Sequence, residues 1–323
     1  MFINNSIEPS SPFIQDQGWT GPPTQVLSSQ RLKELNHKSN LKGLLQLLGH
    51  LTVILVSGTT WALLGSHSPF AWIALVIYGI SLATMFAALH ECIHRTAFAS
   101  NRLNDSAAWL AGLLSFYNST FYRYYHRWHH QYTQIPGKDP ELNDPKPTSV
   151  LGYLKELSGL PWWWGKLRGH TRIALGNLED CPFVPESAHG RVIRSTRLQL
   201  AVYGLLIAAS FAVSHPWFLL LWVLPLAVGQ PFLRFILLAE HTGCQQDDNP
   251  FTNTRTTLTL WPVRCLMWNM PYHTEHHLYP SLPFHALASA HQELQPYLAY
   301  VVPGYLYVNR QILASFHHSE PVT

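Results

Sequence analysis

Four blocks of predominantly apolar sequence, Leu44–Leu64, Phe70–Leu89, Leu198–Ser214 and Trp217–Ala239, limit what this chain can fold into. Each has about the 17–25 residues that a helix needs to cross a bilayer, and only helices and closed barrels satisfy their backbone there. Only 12% of the 323 residues are charged, about half the fraction usual in soluble domains. The chain therefore reads as an all-α integral membrane protein with substantial aqueous parts. The connectors Gly65–Pro69 and His215–Pro216 are too short for anything but a turn, which predicts four transmembrane helices in two hairpins. Neither connector carries Lys or Arg, whereas basic residues occupy the termini, the central segment and helix ends. The positive-inside rule then puts the termini and the middle on the cytosolic face.

The expected organisation is a cytosolic N-terminal segment (1–40), a first hairpin (41–94), a cytosolic and interfacial region (95–197), a second hairpin (198–241) and a cytosolic C-terminal region (242–323). The N-terminal segment contains Pro9, Pro12, Pro22 and Pro23 and lacks the basic start and small-residue cleavage site of a signal peptide, so it is expected to stay cytosolic and partly disordered. Ala107–Tyr117 is apolar but too short to span, as an interfacial or re-entrant helix would be. Pro161-Trp162-Trp163-Trp164, followed by Lys166 and Arg168, suits either a segment at headgroup level or a Trp-rich packing element. A net charge of +3, with no basic run interleaved with aromatics, argues against nucleic acid. Cys92, Cys181, Cys244 and Cys265 show no CxxC spacing and read as reduced thiols.

The anomaly is histidine, of which there are 19. Nine gather as His90-Glu91-Cys92-Ile93-His94, His126-Arg127-Trp128-His129-His130, His273-Thr274-Glu275-His276-His277 and an isolated His241. Spacings of i, i+3 and i+4 place each cluster on one face of a helix, able to aim two or three imidazoles at one point. From Phe70 to His90 a helix rises about 30 Å, the thickness of the hydrocarbon core, so His90 and His94 emerge on the cytosolic side. The second cluster follows without a full crossing and the third after two, so all three can converge, with His241 a ninth candidate. His67 and His215 fall on the opposite face. They, with His50, His291, His317, His318 and the rest, read as ordinary hydrogen-bonded residues.

Eight or nine imidazoles exceed the four ligands of a closed zinc site and imply at least two metal ions, although affinity alone does not choose between Zn, Cu, Fe and Ni. A paired iron site with open positions would allow dioxygen to be activated. Glu91, Glu240, Asn269 and Glu275 lie close to the histidines in sequence and are candidates to orient them from behind.

HECIH, HRWHH and HTEHH, with the paired hairpins and His241, closely resemble the membrane fatty acid desaturase family of non-haem di-iron oxidases. The resemblance runs from about Leu44 to Leu287, and YHTEHHLYPSLPFHAL, from Tyr272 to Leu287, looks like the bacterial acyl-lipid branch. It implies that His90, His94, His126, His129, His130, His241, His273, His276 and His277 ligate two irons, and that an apolar tunnel from the cytosolic site holds an acyl chain. It also implies a bacterial inner or thylakoid membrane, or the endoplasmic reticulum in a eukaryote. The family's common Asp after the first histidine is Glu91 here, which leaves the substrate open between acyl-lipid, acyl-CoA and acyl-carrier-protein forms. The same box details keep a hydroxylase or ketolase acting on a carotenoid, alkane or sphingolipid as the alternative. No HPGG haem motif or GxGxxG fingerprint occurs, so electrons are expected from a separate ferredoxin or cytochrome b5-type protein. A membrane metal transporter is disfavoured because only His50 lies well inside a span.

Overall fold

The computed structural model describes residues 26–144 and 146–316. The expectations for residues 1–25 and for His317 and His318 lie outside them. Among the described residues the regular structure is helical apart from one two-residue parallel ladder. A short α1 (Ser29–Leu35) precedes α2 (Asn40–Leu64), which starts where the Ser39 hydroxyl accepts the Lys42 N–H and stops at Gly65, at φ 60°. The turn Gly65–His67 leads to α3 (Pro69–His94), with proline in its first turn, where no N–H is missed. Then come α4 (Asn101–Ser115), α5 (Ser119–Tyr132), α6 (Val150–Leu157), α7 (Leu160–Ala174) and α8 (Glu186–Ala212). A single π-helical turn, Leu219–Val223, opens α9 (Leu224–His241). The C-terminal region holds α10 (Trp261–Leu266), α11 (His273–Leu278), α12 (Leu287–Leu294) and α13 (Tyr305–Ser315).

α2, α3, α8 and the helix Leu219–His241 are long and apolar enough to cross a membrane. They exceed the apolar blocks where polar sequence continues the helix. α8 begins twelve residues before Leu198, because nothing between Glu186 and Arg197 breaks it, and α3 runs through the whole first histidine cluster. With 26 residues α3 is about 39 Å long, so its last turns clear a hydrocarbon core of about 30 Å.

α3 is the axis of the bundle. Of its most apolar stretch 67% is buried, against 22% for α2 and α8. α2, α4 and α9 pack around it, whereas α8 lies chiefly against α7 and α5. The α3–α9 crossing is made by two glycines: a Cβ at Gly79 would stand 2.2 Å from the Pro225 carbonyl oxygen, and one at Gly229 would stand 1.9 Å from that of Gly79. Backbone meets backbone there, which fixes the end of α9 relative to the end of α3.

The apolar segment Ala107–Tyr117 lies in α4 as far as Ser115, and the first turns of that helix are polar and capped by Ser100. α4 buries Ala107, Ala108, Ala111 and Gly112 and ends at Phe116 in the left-handed region. The Trp run opens α7 and divides its duties, with Trp162 buried and Trp164 69% exposed. The ladder pairs β1 (Thr256–Thr257) with β2 (Val301–Val302) and braces the C-terminal region.

Candidate metal centre

Four helix ends deliver the imidazoles. α3 brings His90 and His94 in its last two turns, and α5, capped by Asn118 and tucked behind α4, brings His126, His129 and His130. α9 ends at His241, and the six-residue α11 carries His273, His276 and His277. All nine come together. His94 and His130 are half-buried and the other seven are buried.

They fall into two groups. The ligand atoms of His90, His94, His126, His130 and His276 all lie within 4.8 Å of one another, as do those of His129, His241 and His277. His273 stands beside the second group, its Nε2 3.0 Å from that of His241. The Glu141 carboxylate also approaches His126 and His129.

The nitrogens themselves test whether metal suits this cluster. Both ring nitrogens of His90 and the Nε2 of His94 and of His277 are buried without a hydrogen-bond partner. His130 Nε2 stands 3.0 Å from His126 Nε2 and 3.1 Å from His276 Nε2. An ion bound at about 2.1 Å places two nitrogens at right angles about 3.0 Å apart, so these spacings suit donors that share a cation. The protonation is suitable too. Burial, and then the neighbouring imidazoles, hold His126, His130, His273, His276 and His277 well below the usual histidine pKa, leaving them neutral and able to ligate. At His129 burial again lowers the pKa, but Glu141 and Asp139 together raise it by more.

Groups behind the rings fix which nitrogen faces the centre. His129 Nδ1 donates to Asp139 Oδ1 at 2.9 Å, and His241 Nδ1 donates to the Asn253 carbonyl at 3.1 Å. The Thr133 hydroxyl gives its hydrogen to the His129 carbonyl and so accepts from His277 Nδ1 at 3.2 Å. In each case Nδ1 holds the proton and Nε2 is left to coordinate. The Tyr122 hydroxyl lies 3.4 Å from His126 Nδ1.

Of the four side chains expected in this role, only Glu240 comes near one of the nine clustered imidazoles, at 3.6 Å from His273 Nε2. Glu91 instead accepts from the Thr96 hydroxyl at 2.8 Å and from the Phe284 N–H at 3.2 Å. Glu275 is engaged by Thr256 and His291, and Asn269 donates to the Phe284 carbonyl. Asp139, Thr133, Asn253 and Tyr122 do the orienting and carry no spacing signal, except that Thr133 lies one turn beyond His129. His50 is satisfied elsewhere, between the Ser81 carbonyl and the Trp268 N–H.

A cavity of about 770 Å³ opens on His90, His126, His129 and His273. Its walls include Phe86, Tyr117, Tyr122 and Leu238 and carry charge of both signs, with Lys166 and Arg234 as well as Glu141, Asp144 and Glu240.

Residues 66–309 match the fatty acid desaturase family. The chain is 22% identical over 239 residues to the sn-1 oleoyl-lipid 12-desaturase of Picosynechococcus sp., covering 67% of each chain. It is 25% identical over 256 residues to the chloroplastic omega-3 fatty acid desaturase of Brassica napus, covering 70% of this chain and 62% of that one. It is also 25% identical over 258 residues to the temperature-sensitive sn-2 acyl-lipid omega-3 desaturase (ferredoxin) of Arabidopsis thaliana, covering 70% and 58%. The matched region thus spans two thirds or less of the length of the last two.

Proposed function

The chain belongs to the fatty acid desaturase family, and on that basis we propose that it is a dioxygen-dependent oxidoreductase that introduces a cis double bond into a fatty acyl chain. His90, His94, His126, His130 and His276 would hold one iron, and His129, His241, His273 and His277 a second. Such an iron pair, when bound, supplies the activation of dioxygen that removal of hydrogen from an unactivated carbon requires. The observation that carries the reading is the division of eight imidazoles into two groups of mutually close ligand atoms, with His273 beside the second, next to a cavity lined by His90, His126, His129 and His273.

The protein's own residues do the rest. Asp139, Thr133 and the Asn253 carbonyl hold three rings in the tautomer that presents Nε2. Phe86, Tyr122 and Leu238 wall the space in front of His90 and His126, where an alkyl chain can lie against apolar surface and exclude water. Two transmembrane hairpins, with the termini and all histidine clusters on the cytosolic face as a helical cap, fit the basic-residue distribution, and the five segments given above are the matching division of the chain.

The substrate is an acyl-lipid, acyl-CoA or acyl-carrier-protein form, and the electron donor is a ferredoxin or cytochrome b5-type protein. One relative's name includes ferredoxin. A basic face near the clusters suits an acidic donor. Of its members, Arg95 and Arg123 are paired with Asp105 and Arg264 bonds the Tyr272 hydroxyl, whereas Arg127 is exposed. Expression in a host rich in saturated and monounsaturated lipids tests the reading. The expected product is a lipid two mass units lighter, with a new cis double bond. A product 16 units heavier, or 14 units heavier in a carotenoid-producing host, would overturn it in favour of a hydroxylase or ketolase.

A further inference from the structure

One wall of the cavity collects more hydrogen-bond donors than acceptors. The Lys166 ammonium, from the second turn of α7, sits on the face of Tyr117, 3.6 Å from the ring centroid. Arg234, seven residues before His241 on α9, donates Nη2 to the Tyr117 hydroxyl at 3.1 Å, and Trp162 Nε1 donates to the same oxygen at 3.0 Å. That oxygen accepts twice and keeps its own hydrogen to give, and no acceptor for it is present among the described residues. Arg234 Nε is buried with no partner. Neither cation forms an ion pair with a described carboxylate: of the carboxylates that line the same cavity, Asp144 and Glu141 act on Lys166 and Glu240 on Arg234 only from a distance, and Glu141 is directed at His129.

Two half-buried cations that share one tyrosine repel each other, and partly desolvated charge is retained in proteins when it is paired. Burial, and then the charge of Arg234, bring the Lys166 pKa down to about 7, the direction expected of a cation that lacks its counter-ion. The wall is continuous with the metal centre, since Phe86 lies 4.7 Å from Tyr117 and 6.2 Å from His90. Whatever binds the donors therefore enters the same cavity as the chain to be oxidised.

Building on the proposed desaturase reading, we infer that Lys166, Arg234 and the Tyr117 hydroxyl form a subsite for the phosphate carried by the substrate's head. In an ester or thioester the acyl carboxyl is neutral, so the negative charge left on the substrate is phosphate. A guanidinium, an ammonium and a hydroxyl around one point match its several acceptor oxygens. An uncharged glycolipid or a carotenoid leaves the subsite empty. The phosphate can be that of a phospholipid or that of the phosphopantetheine arm of a carrier.

The test uses the full chain in detergent, with fluorescence of Trp162 and its neighbours as the readout. The probes are oleoyl-lysophosphatidylglycerol, oleoyl-CoA and an uncharged oleoyl-galactosylglycerol. A phosphate-bearing probe is expected to bind more tightly than the galactolipid. Lys166→Gln and Arg234→Gln should each raise its Kd about tenfold, and Lys166→Arg should restore it. Preference for the lysolipid identifies a phospholipid substrate, and preference for the CoA ester a carrier-bound one. A galactolipid that binds as tightly as the phosphate probes, or Kd values unmoved in both Gln variants, would overturn the subsite. The two readings fail separately. A chain that binds the phosphate probes without forming a double bond keeps the subsite and loses the desaturase function, whereas galactolipid desaturation unaffected by Lys166→Gln does the reverse.

Discussion

Asp139 is the side chain whose removal most cleanly separates orientation of a ligand from ligation itself. Its Oδ1 accepts from His129 Nδ1 at 2.9 Å and from the Glu141 N–H at 2.9 Å, and its Oδ2 accepts from the Gln134 N–H at 2.8 Å. The Asp139 and His129 side chains are each only 1% exposed, so water does not readily replace a lost partner. Asp139→Ala strands three donors, and at about 1–3 kcal/mol for each buried unpaired group the cost is at least ~3 kcal/mol. Asp139→Asn is milder. Its amide oxygen can keep His129 and the Glu141 N–H, while its NH2 meets the Gln134 N–H donor to donor. The imidazole then faces a neutral partner instead of a carboxylate. Loss of such a partner costs about 10–100-fold in metal affinity or turnover, equivalent to about 1.4–2.8 kcal/mol. Iron per purified chain, product per folded chain in cells and thermal unfolding are the three readouts. We expect about a tenfold loss of turnover for Asn with a small lowering of Tm from the stranded Gln134 N–H, and a larger loss of both for Ala. Wild-type iron content and turnover in Asp139→Ala would refute the claim that this carboxylate sets the His129 ring.

Alanine at His90, His129, His241 or His276 should abolish turnover in cells while the chain still inserts, with His67→Ala and His215→Ala as unaffected controls; near-normal product from His276→Ala would remove the ligand assignment. Gly79→Ala and Gly229→Ala should each destabilise the fold by about 3 kcal/mol or more, because the new Cβ meets backbone that cannot swing away. Gly49→Ala and Gly204→Ala, which meet nothing within 4 Å, should not lower the yield of folded protein. Cysteine placed at Ser66 or Ser214 should label from outside an intact cell, and cysteine at Ser149 only after permeabilisation; outside access to Ser149 would refute the two-hairpin topology.

The spans and the three clusters were legible in the sequence because each leaves a local pattern, an unbroken apolar run in one case and a helical spacing in the other. A run of about 20 apolar residues has one economical solution in a bilayer, and i, i+3, i+4 spacing has one on a helix. Packing between spans leaves no comparable trace. The hairpin pattern suggests α8 against α9, yet α9 packs chiefly along α3, since Gly79 and Gly229 allow a closer approach there than larger side chains would permit. The two-residue ladder was invisible, because Thr256–Thr257 and Val301–Val302 are too short for an alternating pattern.

The carboxylates beside the histidines show why proximity in sequence misleads around a candidate metal centre built on helices. Adjacent residues on a helix are rotated by about 100° from each other, so a neighbour of a candidate ligand can face the centre, as at His129–His130 and His276–His277, or leave it, and adjacency does not say which. Glu91 follows His90 and Glu275 precedes His276, and each is buried against partners other than the nine clustered imidazoles. Glu91 ties the end of α3 to the Phe284 N–H, and Glu275 ties α11 to Thr256 and His291. Both carboxylates therefore act on the centre through the helices that carry it. The groups that hold imidazoles directly come from the loops after α5 and α9, as a side chain at Asp139 and as a bare carbonyl at Asn253. A backbone carbonyl is supplied by any residue, so no sequence pattern could have revealed that part of the site. The His241 tautomer depends on where the chain beyond α9 runs, and the Arg255 guanidinium fixes that path by donating to the Ala239 and Thr242 carbonyls.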